Sequence, residues 1–196
     1  MRHSHPRSFH DQVALLRRQF LQDGGLPFTD VLTDEVLADA LAAVGGWLDR
    51  IFSPLVTLWV FLGQVLSPDH SCRAAVACLI AHRVARGQDP CSARTGAYCR
   101  ARQRLPEAFF SAAARSAGRS LDARADRRWL WEGRRVYLFG GTTVTMPDTP
   151  ENQAAYPQVY NQGPGLGFPI ARVGALTSLW CGAVVCLGFC RYAGKG

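Results

Sequence analysis

Between Arg73 and Arg135 the chain carries fourteen arginines against five acids, a local charge of +9 within a total of +7. Guanidinium groups at that density suit phosphate, because each presents a planar fork of donors matching phosphate oxygens or a guanine edge. The anionic partner that such a surface most often meets is nucleic acid. Lys195 is the only lysine, so codon bias is the safer account of the arginine excess. Metal ligation is a second chemistry to weigh. Cys72, Cys78, Cys91, Cys99, Cys181, Cys186 and Cys190 include no C-x-x-C pair, the spacing a zinc knuckle needs. Reduced thiols buried as small apolar groups are expected instead. His3, His5 and His10 sit in a polar terminus, while His70 and His82 are expected to cap or face solvent. Asp148 and Glu151 follow a strand-like run, but one strand and its loop are poorly placed to hold two metal ions alone.

The elements that must position these groups fall into two regimes meeting near residue 130. Before it, apolar residues recur at helical spacing among alanines and arginines; after it come β-branched residues, glycines and prolines. A short helix is expected over 11–21 and a second over 33–44, with Thr33 as N-cap. Ser53-Pro54 pairs an N-cap with proline at the first helical position. The helix it opens, to about Leu66, is apolar on nearly every face and belongs in the core. Further helices run from the Ser71 cap to Arg86, closed by Gly87, from the Ser92 cap through Arg104, and from Pro106 to about Leu121. Residues 135–146 and 183–192 read as strands, 148–167 as a long loop, and 168–180 as either helix or strand. The fold class is α+β.

The helices at 71–86 and 92–104 have the outline of a helix-turn-helix, with a longer turn than the shortest versions. On the second, Arg94, Tyr98, Arg102 and Gln103 fall near one face, and Arg100 and Arg104 are placed to reach phosphates. A solvated basic helix packed by Ala97 and Leu105 is the alternative. The tryptophans at 47, 59, 129, 131 and 180 are read as packing residues. The run 51–66 is shorter than the ~20 residues of a spanning helix. No apolar stretch follows the basic N-terminus, so a soluble, cytoplasmic protein is expected, with no membrane partner.

The run Gly140-Gly141-Thr142-Thr143-Val144-Thr145-Met146-Pro147-Asp148-Thr149-Pro150-Glu151-Asn152-Gln153-Ala154-Ala155-Tyr156-Pro157-Gln158 resembles the first catalytic strand of bacterial insertion-sequence transposases. The group is the insertion-sequence-four-like branch of the DDE enzymes. The blocks 164–172, 52–59 and 69–76 resemble the same family, so the likeness covers about 28–196. It implies an N-terminal extension over 1–27, a helical DNA-binding domain over 28–128, and over 129–196 the first strands of an incomplete ribonuclease-H-like core. Intact members cut and join DNA with two magnesium ions held by three carboxylates, the first on this strand. Gly140 stands at that first position, and the two later acids lie beyond residue 196. The resemblance therefore implies transposon-end duplex as partner, intact transposase as a second partner, and neither catalysis nor a metal cofactor in this chain alone. Three classes stay open: a DNA-binding competitor of intact transposase, a pseudogene product, and an enzyme completed by a separate polypeptide.

Overall fold

Ser53 and Pro54 start the central helix as their chemistry dictates. The Ser53 hydroxyl accepts from the Val56 amide at 3.4 Å, and Pro54 sits where a missing N–H costs nothing. The computed structural model describes Phe28 and residues 30–47, 50–161, 163 and 165–192. The helix expected over 11–21, the rest of the extension and His3, His5 and His10 lie outside the described residues. The described helices are α1 (Asp34–Ala42), α2 (Pro54–Leu66), α3 (Cys72–Ala85), α4 (Gly96–Arg104), α5 (Glu107–Ala123) and α6 (Pro150–Ala155). The strands are β1 (Tyr137–Thr145), β2 (Ile170–Ser178) and β3 (Val184–Arg191). The class is α+β, in two units that divide between Ala113 and Ala114.

In the first unit α2 packs on two sides. Leu55, Leu58 and Trp59, at i, i+3 and i+4, join Leu37, Ala40 and Leu41 of α1 and Phe109 and Ala113 of α5. Val56 and Val60 turn the other way, onto Ala75, Val76 and Leu79 of α3, with Cys91 and Tyr98. Burying each large side chain of this kind is worth roughly 1.5–3 kcal/mol, so α2 is the element the unit cannot lose. α3 begins at the Ser71 cap, whose hydroxyl accepts from the Ala74 amide at 3.1 Å. It ends with Gly87 at φ +66° and the paired bonds Gln88 N–H to Arg83 O and Gly87 N–H to Val84 O. That is the Schellman closure glycine permits.

The second unit is an antiparallel meander, β1-β2-β3, against the C-terminal half of α5. Gly140 pairs with Ala175 and Gly141 with Gly174. The region left open between helix and strand is a strand, β2, because ladder bonds on both sides decide what local propensity does not. Asp122 anchors the helix to the sheet, accepting from Ser178 Oγ at 2.6 Å, Tyr137 Oη at 2.7 Å and Trp180 Nε1 at 3.1 Å. Burial pushes its carboxyl up, but the donors from Ser178, Tyr137 and Trp180 and the Arg135 charge hold it below the usual value. The change of composition near 130 and the boundary placed at 128/129 therefore come later than the division in space. Residues 114–123 are helical in pattern yet belong with the strands.

Candidate nucleic-acid interface

α4 is held from below by a polar network that uses two of the residues expected on its outer face. Tyr98 is fully buried, its hydroxyl donating to Gln64 Oε1 at 2.7 Å. Burial pushes that phenol up to about 12. Arg102 donates to the same oxygen at 3.1 Å, and its guanidinium lies 5.1 Å from the centre of the Phe61 ring and 5.5 Å from that of Tyr98. Gln64 also donates to the His70 carbonyl at 2.6 Å, and His70 Nδ1 lies 3.2 Å from the Gln64 carbonyl. The reading of Tyr98 as an outward, DNA-facing residue is thus corrected, and Arg102 is half-buried and engaged. Helical spacing fixes which residues share a face, but only packing decides which face is inside.

What α4 does expose is Arg100, Gln103 and Arg104. Arg94 is exposed too, but it precedes the helix, which begins at Gly96. The Ser92 hydroxyl accepts from Arg94 N–H at 3.3 Å. It therefore forms a local turn rather than the expected cap, a use of serine that competes with helix. The connection from α3 runs over 86–95, well beyond the 3–4 residues of a compact helix-turn-helix. The four exposed side chains can present cations to phosphates and an amide and guanidiniums to base edges.

Gly140 lies in mid-β1, exposed, with nothing within 4 Å of where a Cβ would stand. Glycine supplies no metal ligand. Asp148 accepts from Gln153 Nε2 at 2.8 Å, and Glu151 lies in the first turn of α6, where a negative charge suits the helix dipole. Among the described residues, no three of His, Cys, Asp and Glu gather closely enough to hold a metal ion. The glutamines of the run have structural work instead. Gln158 Oε1 accepts from the Gly165 and Gly167 amides, each at 3.2 Å, and its Nε2 donates to the Gly163 carbonyl at 2.8 Å. Gln153 accepts from Gln158 N–H and donates to the Gly167 carbonyl, so two side chains satisfy a glycine-rich loop.

Other sequence expectations need correction. Of the thiols, only Cys91 is buried, while Cys78, Cys186 and Cys190 are exposed. Trp129 and Trp131 are each 69% exposed, so they do not pack a core, whereas Trp59 does. The expected loop 148–167 contains α6, and the signal for it was present: Thr149-Pro150 repeats the Ser53-Pro54 pattern, with Thr149 Oγ1 accepting from the Asn152 amide at 3.2 Å. Among the described residues no helix is long and apolar enough to cross a membrane. Comparison with family models, with curated proteins and with solved structures gives no match for this chain.

Proposed function

We propose that the chain is a catalytically silent relative of DDE transposases that binds duplex DNA at transposon ends through α4 and the turn before it. The observation that carries the reading is the exposed set Arg94, Arg100, Gln103 and Arg104 on a helix anchored from inside by Tyr98 and Arg102. A helix held rigidly by its buried side, with free cations outward, is what positioning on a phosphate backbone demands. Gly140 stands where the family's first metal-binding acid belongs, so the proposed role is occupancy of ends in competition with intact enzyme. The test is binding of the purified chain to terminal-repeat duplex and to scrambled duplex across a salt series. Preference for the repeat supports the reading; equal, steeply salt-dependent binding to both leaves only an arginine-rich surface.

A remnant without function is the second reading, and β1 favours it. All nine residues of that strand are exposed, Phe139 by 81%, and the strand carries no charge to discourage edge pairing. Aggregation of the purified chain at low concentration supports that reading over end binding.

A further inference from the structure

A cavity of about 390 Å³ opens in the first unit beside α4, and its lining includes Arg50, Arg100 and Arg104. An adjoining cavity of about 210 Å³ shares Arg50, Phe52, Ala101 and Arg104 with it and adds Trp47. The larger volume lies within the range of small-molecule sites. Among the described residues no carboxylate lines either cavity. The inner walls are apolar, with Ile51, Phe52, Ala97 and Ala101 toward α4. Arg100 and Arg104 stand one helical turn apart, roughly 6 Å along the axis. Arg100 folds back over the start of the helix, its Nη1 lying 3.4 Å from where a Cβ on Gly96 would stand. α4 has no side-chain cap bond, so its first-turn amides add partial positive charge beside Ala97.

We infer that this pair of cavities is a binding site for a nucleoside 5′-phosphate. Three arginines among the lining residues of one cavity suit a phosphate, which carries more charge and more acceptor oxygens than a carboxylate. The lining includes the flat aromatic side chains Phe52, which packs on Tyr98 at 5.6 Å between ring centres, and Trp47, and a base stacks on such a ring without regard to its identity. Among the described residues the walls hold no acid to pair with exocyclic amines, so the site reads the phosphate and the ring plane. A free nucleotide and the 5′-phosphorylated end of a single strand present the same chemistry. The inference does not need the duplex-binding reading, since Arg50 and Phe52 lie outside α4.

Calorimetric titration of the full chain with AMP, adenosine and inorganic phosphate tests it. AMP is expected to bind at least tenfold more tightly than phosphate, and adenosine without saturation. Arg50→Gln should weaken AMP at least tenfold while leaving duplex DNA binding within twofold. Ala97→Leu, which fills the cavity from an exposed position, should weaken AMP similarly, with far-UV dichroism and melting unchanged for both variants. A 5′-phosphorylated tetranucleotide binding more tightly than AMP identifies the strand end as the source, and equal binding identifies the free nucleotide. Phosphate binding as tightly as AMP, AMP binding unaltered by Ala97→Leu, or loss of AMP and duplex binding together in Arg50→Gln each overturns it.

Discussion

Tyr98 shows how one side chain exchanges a recognition role for a structural one. Its phenol sits among α2 and α3 residues, and its hydroxyl donates to the Gln64 side-chain oxygen, which Arg102 also reaches. Tyr98→Phe should cost about 1 kcal/mol at neutral pH and leave duplex binding unchanged. Because burial raises the phenol's pKa from 10.0 to about 12, its contribution is fully present below pH 10 and is lost as pH rises toward 12. Denaturant unfolding across pH 9–12 should therefore show a falling limb that Tyr98→Phe flattens. Gly140 poses the opposite case, an exposed strand position with open space around it. Gly140→Asp should shift stability by less than about 1 kcal/mol. It should give no magnesium-dependent nicking of supercoiled plasmid, since two-metal chemistry requires further acids on the same ion pair. Nicking by that variant would overturn the catalytically silent reading.

Helix α5 and strand β3 meet backbone to backbone. A Cβ on Gly118 would overlap the Val184 carbonyl oxygen and approach its carbon to 2.9 Å, and neither is a flexible side-chain end. In an exposed helix, Gly→Ala gains about 1 kcal/mol from propensity. Here the overlap reverses the sign, and Gly118→Ala should lose about 1–3 kcal/mol, seen as a lower urea midpoint with Trp180 fluorescence as probe. Among the elements, those with cap chemistry are legible in the sequence: α2 and α3 lie where Ser53-Pro54 and Ser71 put them, while α1 follows Thr33 without a side-chain cap bond. α6 was equally legible and was passed over for the proline, asparagine and glycine around it. β2 was not legible, because its alternation is weak and its identity comes from neighbours on both edges.

At the scale of the molecule, the +9 stretch between Arg73 and Arg135 is shared between the two units. It spans the division at 113/114, and several of its cations are committed locally: Arg128 to Asp126 at 2.7 Å, Arg135 to Asp122 at 3.4 Å, and Arg102 to the Gln64 network. The arginines left for an anionic partner are fewer than the count suggests. Arg100→Gln and Arg104→Gln should each weaken duplex binding and reduce the slope of log affinity against log salt by about 1. Arg128→Gln should leave both unchanged. Fluorescence anisotropy over a salt series reads the difference, and equal effects from all three would remove α4 as the contact.

Local signals carried in the chain sufficed for the starts of α2, α3 and α5, the glycine closure of α3, the strand character of β1 and β3, and the α+β class, but not for α4, which starts at Gly96 and not at Ser92. They suffice because caps, proline at the first turn and left-handed glycine act over three or four residues, within reach of sequence. The strand around Gly140 was legible, but not the use of Gln153 and Gln158 to bond residues 163, 165 and 167. Only tertiary structure decided that Tyr98 and Arg102 face inward, that residues 114–123 belong with the sheet, and that Arg50 joins Arg100 and Arg104 around one cavity. Each of those outcomes depends on which surfaces are buried together, and burial is set by residues tens of positions apart, such as Gln64 and Arg102.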